Sequence, residues 1–127
     1  MLSLALPKGS LEEQTLALFA AADLTVRKSS RGYNPTIDDP RIDKLKILRP
    51  QEIPIYVASG DFDLGISGYD WVTESGADVL EIAELPYAKT GAGTVKLVLA
   101  VADDSSVRSA AELPAGSRIT TEFPNIT

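Results

Sequence analysis

Residues 60–72, Gly-Asp-Phe-Asp-Leu-Gly-Ile-Ser-Gly-Tyr-Asp-Trp-Val, place a short apolar strand directly before a polar turn and the start of a helix. The strand runs from Phe62 to Ile66 and ends in Ser67-Gly68-Tyr69-Asp70, small groups and a carboxylate at its carboxyl end. Open α/β sheets bind ligands at that edge. Just upstream, Arg49-Pro-Gln-Glu-Ile-Pro-Ile-Tyr-Val reads as a helix opened by Pro50, a residue tolerated in a first turn, and closed by Gly60. Strand, helix, strand and helix therefore follow one another within about thirty residues, a pattern that demands a layered α/β fold.

The rest of the chain repeats that rhythm. Leu2 to Leu6 is apolar enough for a buried first strand, and Pro7-Lys8-Gly9 breaks it. Ser10 with Glu13 matches a capping box, and Leu11, Thr15, Leu18, Phe19 and Ala22 follow at helical spacing. Asp23 ends that helix, and Leu24 to Lys28 is a short strand. Residues 29–43, with two prolines, a glycine and two serines, form a loop or a hairpin turn. Lys44 to Leu48 is the next strand. Beyond the central segment the reading predicts a helix over 69–75, strands at Val79–Ala83, Val95–Ala102 and Ser117–Thr121, and a short helix from Asp104 or Ser105 to Ala111. Pro86 to Gly93 is a linker, and Glu122 to Thr127 opens another helix. Strands alternating with short helices predict a parallel or mixed sheet.

Composition excludes several classes of function. The chain has no Cys and no His, so it has neither thiolate nor imidazole chemistry and no disulfide scaffold. Its apolar runs are too short for a membrane-spanning helix, and its first residues lack the basic region of a signal peptide, so a cytoplasmic setting is expected. A net charge of −6 argues against nucleic-acid binding. That charge is uneven: residues 1–50 carry eight Lys/Arg against six Asp/Glu, whereas 51–127 carry four against twelve. A locally positive pocket on an acidic protein suits a phosphorylated small molecule; scattered surface charge is the alternative.

Three motifs bear on that ligand. Pro7-Lys8-Gly9-Ser10 is a strand-to-helix turn offering helix N–H groups and a cation to an anion, although it lacks the spacing of a Walker loop. Gly65 and Gly68 permit close backbone approach. Asp70 can accept from a ribose hydroxyl or base amine, or cap the helix, while Tyr69 can stack or pack. Arg31 in the long loop can bring a guanidinium to a phosphate or stay in water. Asp38-Asp39 and Asp103-Asp104 sit beside turn residues and read as turn and cap groups in preference to metal ligands. Trp71 and Phe19 read as core. Catalysis by such a chain must rely on positioning and electrostatics.

Taken together, Leu6-Pro-Lys-Gly-Ser-Leu11, Arg31-Gly-Tyr, Ile47-Leu-Arg-Pro-Gln-Glu-Ile-Pro, Asp63-Leu-Gly-Ile-Ser-Gly-Tyr-Asp70, Val95-Lys-Leu-Val-Leu-Ala-Val101 and Ile119-Thr-Thr-Glu-Phe-Pro-Asn-Ile-Thr127 resemble, in order, the ATP phosphoribosyltransferase family of histidine biosynthesis. The resemblance implies an α/β, type II periplasmic-binding-protein-like two-lobed fold. Residues 1–93 would form a nearly complete first lobe on the nucleotide side, and 94–127 a hinge strand and the start of a truncated second lobe. It further implies transfer of phosphoribosyl from phosphoribosyl pyrophosphate (PRPP) to N1 of ATP, Mg²⁺ carried with the substrate phosphates, and a homo-oligomer. By similarity, Lys8, Gly9, Ser10 and Arg31 lie near phosphates, and Ser67, Gly68, Tyr69 and Asp70 match the nucleotide-side turn. The family's phosphate loop for PRPP falls after Thr127, so the isolated chain is expected to be inactive. A nucleotide-binding module and a non-catalytic subunit are the alternatives on the same scaffold.

Overall fold

The computed structural model describes residues 1–28, 34–85 and 96–127. Strand β1, Leu2–Pro7, is the middle of a parallel sheet of three strands, flanked by β4 (Ile42–Leu48) and by β5 (Leu64–Gly65). A short antiparallel pair, β2 (Val26–Arg27) with β3 (Thr36–Ile37), lies between β1 and β4 in sequence. Of the 29–43 segment, read as a loop or hairpin turn, residues 29–33 lie outside the described residues, and Thr36–Ile37 forms β3, a strand not legible in the sequence.

Alternation along β1 assigns two faces. Leu4 and Leu6 join Leu45 and Ile47 in one core cluster, against which Leu16 and Phe19 of helix α1 (Glu12–Ala21) and Val26 and Ile37 of the hairpin pack. Ala5 points the other way, clustering with Ile53 and Phe62 beside Tyr56 and Val57 of helix α2 (Ile53–Ala58). Helices thus cover both faces, which is why β1 reads as a nearly continuous apolar run. Leu6 and Ile53 are both fully buried, each worth about 1.5–3 kcal/mol by removal from water.

Several local expectations are corrected. The Ser10–Glu13 capping box does not form: residues Gly9–Leu11 make a 3-10 turn, with Gly9 at φ +85°, and α1 starts only at Glu12. Leu16 with Phe19 forms the packed face in place of Leu18 and Ala22; Leu18 is exposed, and Thr15 is fully buried with its hydroxyl donating to the Leu11 carbonyl at 2.7 Å. Pro50 stands in a turn ahead of α2 and does not open it, whereas Pro54 lies in the first helical turn as its position suggests. Helix α3, Tyr69–Ser75, matches its expected span. The strands read at Val79–Ala83 and Ser117–Thr121 are irregular, as is 96–102; the remaining residue of that last strand, Val95, and the 86–93 linker lie outside the described residues. An apolar run becomes a strand only when a neighbour completes its ladder. Leu80, Ile82 and Val98 are largely exposed and have no such neighbour among the described residues. The expected helix ending at Ala111 contracts to a 3-10 turn, Ala110–Glu112.

Candidate functional site

Because β1, β4 and β5 run parallel, the turns that follow them converge on one edge of the sheet. The chain leaves β1 towards α1 on one face and leaves β4 towards α2 on the other, and α3 packs against α2. Diverging connections open a crevice at the carboxyl edge, the place where such sheets hold ligands. Two hydrogen bonds tie the turns together: the Lys8 N–H donates to the Leu48 carbonyl at 2.7 Å, and Ser67 Oγ donates to the Pro50 carbonyl at 2.6 Å.

The turn after β1 presents Lys8, Gly9 and Ser10, all exposed. The Gly9 N–H reaches the Glu12 carboxylate at 3.4 Å, and the other oxygen of that carboxylate pairs with Lys28. An acidic side chain thus sits at the N-terminal end of α1, where the helix dipole favours negative charge. Glu12, not Glu13, makes the reach-back contact.

On the other side, a groove of about 290 Å³ runs along α2. Leu11, Ile53, Val57, Ser67, Gly68 and Tyr69 line it, and residues 79–85 form its outer wall. Two glycines shape this region through close approach. A Cβ on Gly65 would run into Ile53 Cγ2 and come within 3.0 Å of Val57 Cγ2, so α2 packs directly on the β5 backbone. A side chain on Gly68 would collide with the Asp70 carboxylate, which folds back over the turn and accepts the Trp71 N–H at 3.0 Å. Gly68 itself occupies the capping position of α3 without a side-chain bond, so Asp70 is not the N-cap. Tyr69 is 72% exposed, its ring open to solvent at the groove rim.

Of the residues singled out in the sequence, Ser67, Gly68 and Tyr69 share the groove, Asp70 stands beside it, and Lys8, Gly9 and Ser10 lie on the same edge in the turn after β1. Arg31 lies outside the described residues. Trp71 is half-buried and stacks on Phe123, outside both core clusters, whereas Phe19 joins the core as expected. Sequence reasoning counted Arg49 in the basic excess and Leu11 on the packed face of the first helix but assigned neither to the site; Arg49 follows β4 at this edge and is exposed, and Leu11 lines the groove. Asp39 takes the turn role expected of it, accepting the Arg41 N–H at 2.8 Å; hydrogen bonds from the Arg41 guanidinium hold its carboxyl down at about 2. Asp63 staples the amino-terminal ends of β1 and β5 together: its carboxylate accepts the Ser3 N–H and hydroxyl, each at 2.7 Å, and these bonds, the backbone one foremost, lower its pKa. Among the described residues no cluster of three or more Asp or Glu could hold a metal ion.

The fold and edge define an α/β protein with a parallel sheet whose carboxyl edge borders a groove lined by Gly65, Ser67 and Gly68, with Lys8 and Arg49 in the turns along the same edge. The chain belongs to the ATP phosphoribosyltransferase family, whose profile, HisG: ATP phosphoribosyltransferase, matches residues 49–127. It is 48% identical over 127 residues to the ATP phosphoribosyltransferase of Thermodesulfovibrio yellowstonii, covering all of this chain and 43% of that protein. Identity to the enzyme of Desulforudis audaxviator is also 48%, over 126 residues, with 99% of this chain and 43% of the relative covered. The chain therefore spans about two-fifths of the length of these relatives. In three dimensions it resembles a chain of the ATP phosphoribosyl transferase (HisG:HisZ) complex from Thermotoga maritima, with a TM-score of 0.55 and 26% identity over 68% of this chain and 41% of that one.

Proposed function

We propose that this chain supplies the nucleotide-side half of an ATP phosphoribosyltransferase, and that ATP binds at the carboxyl edge of the sheet. The observation that carries the reading is the junction of the three turns there, with Ser67 bonded to Pro50 and Lys8 to Leu48, in a chain of this family. Lys8 and Arg49 supply cations for phosphates, the Gly9-Ser10 turn supplies backbone donors, and Ser67 to Asp70 face the ribose and base, with Tyr69 available to stack on adenine. Arg31 joins the phosphate side by similarity. Mg²⁺ enters with the substrate phosphates.

In the reaction, N1 of adenine forms a bond to the anomeric carbon of PRPP as the bond from that carbon to pyrophosphate breaks. Pyrophosphate leaves with the electron pair. The transition state has cationic, oxocarbenium-like character, so alignment of the two substrates and charge stabilisation of the leaving group can provide the acceleration without an imidazole base. In this reading residues 1–93 are the first lobe of a type II periplasmic-binding-protein-like fold, and 94–127 are the hinge and the beginning of the second. Assembly with further subunits and a cytoplasmic setting accompany it, the former supported by the HisG:HisZ complex of the Thermotoga maritima relative.

Calorimetric titration with MgATP tests the reading, followed by addition of PRPP and measurement of pyrophosphate. Saturable ATP binding that Lys8→Ala weakens about tenfold, the loss expected for one charge-assisted phosphate contact, supports it. Failure to bind ATP sinks it. ATP binding without pyrophosphate release assigns this chain the nucleotide half alone.

A further inference from the structure

Glu74, in the last turn of α3, is only 7% exposed, and nothing in the ATP edge uses it. Its two carboxylate oxygens accept separate backbone donors, the N–H of Asn125 at 2.8 Å and that of Ile126 at 2.7 Å. Its own carbonyl accepts Asn125 Nδ2 at 2.8 Å. One turn earlier on the same helix, Trp71 stacks on Phe123 with centroids 4.2 Å apart and planes 18° from parallel.

The segment so held is a single turn at 124–126, where the sequence suggests the opening of a helix. The Thr127 N–H donates to the Phe123 carbonyl at 2.9 Å, Pro124 sits where a missing N–H costs nothing, and the Phe123 N–H is taken by Thr121 Oγ1 at 3.0 Å. The N–H groups of Asn125 and Ile126 donate out of the turn, as the first N–H groups of a helix must. A neighbouring Ser, Thr, Asp or Asn ordinarily satisfies them. Here the acceptor comes from a residue 51 positions away in sequence.

We propose that Glu74 is a positioning residue: it caps the 123–127 turn from α3 and fixes that turn relative to Ser67–Tyr69 at the other end of the same helix. The carboxylate is desolvated with both oxygens engaged, so undocking the turn breaks charge-assisted bonds and unstacks Trp71 together. In the transferase reading, on which this last step rests, 94–127 leads into the second lobe, and the latch sets how the two halves face each other.

Amide hydrogen exchange on the whole chain tests the latch directly. In the wild type, Asn125 and Ile126 should be protected. Glu74→Gln, which keeps one acceptor oxygen, should lose about tenfold at one of them, and Glu74→Ala about tenfold or more at both. The Ala5 and Leu6 amides in β1 should not change, which shows the core intact. Trp71 is the only tryptophan, so its fluorescence reads the Phe123 stack independently and should change in Glu74→Ala. Phe123→Ala gives the same release from the opposite side, without altering α3. Wild-type amides exchanging at free-peptide rates, or equal protection in wild type and Glu74→Ala, would overturn the proposal. MgATP titration of the same wild-type sample separates the two ideas, because loss of the ATP reading leaves the protection of Asn125 and Ile126 untouched.

Discussion

Ser67 Oγ donates a 2.6 Å hydrogen bond to the carbonyl oxygen of Pro50, joining the turn after β5 to the turn after β4. This partly buried bond makes one unit of two loops 17 residues apart in sequence. Ser67→Ala leaves the Pro50 carbonyl without that donor, and urea denaturation should show a loss of about 1 kcal/mol. MgATP affinity should fall in the same variant, because the loops lose their fixed spacing. Unchanged affinity alongside reduced stability would confine the bond to a structural role.

Gly65 lies beneath α2, where an added methyl meets Ile53 Cγ2 and Val57 Cγ2. Both neighbours are branched and held close to the backbone, and Ile53 is fully buried. Gly65→Ala should therefore cost about 1–3 kcal/mol through overpacking, read as a lower urea midpoint with an unchanged slope. A midpoint equal to wild type would show that α2 can lift off β5 freely.

Gly68 is constrained by a different neighbour, the Asp70 carboxylate. That group is the end of a side chain and can rotate away, so Gly68→Ala should leave the urea midpoint within about 1 kcal/mol of wild type. It should still weaken MgATP binding measurably, because the turn facing the nucleotide changes shape. Intact affinity would remove Asp70 and Gly68 from the binding edge.

Acid stability offers a separate check. The carboxyls of Asp63 and Asp39 both titrate below the usual carboxylate value in the folded chain, Asp39 at about 2. A lowered folded pKa means that the unfolded chain takes up the proton first. The stability from each group is complete above about pH 4 and is lost as the pH falls through its folded value. Urea midpoints measured from pH 5 to pH 2 should fall, and Asp63→Asn and Asp39→Asn should each make that fall shallower. An identical slope in both variants would show that these carboxylates do not govern the acid limb.

Much of the sheet was legible because its signals are local. The apolar run of β1, the Gly60 stop after α2 and the whole of α3 depend on residues within one turn or one strand, and each formed where the pattern placed it or within a few residues. The runs at 79–83, 96–102 and 117–121 failed for the opposite reason. Their apolar character marks a preference for burial, but a strand also needs a partner, and Leu80 at 85% exposure has none among the described residues. At the edge, Lys8 and Ser67 were found from their motifs. Arg49 and Leu11 become visible as neighbours of the edge only once the strand order β4-β1-β5 is known. The Glu74 latch was illegible because it joins residues 51 positions apart through backbone donors that carry no sequence signature.

The most direct test of the central claim is to map the backbone amide shifts of the labelled chain during titration with MgATP. The account predicts saturable shifts concentrated at Gly9, Ser10, Ser67, Gly68 and Tyr69, with the turn at Asp39 and Arg41, at the opposite end of the sheet, unmoved. Shifts centred instead on the opposite end of the sheet, at Asp39 and Arg41, or no saturable shift at all, would contradict it.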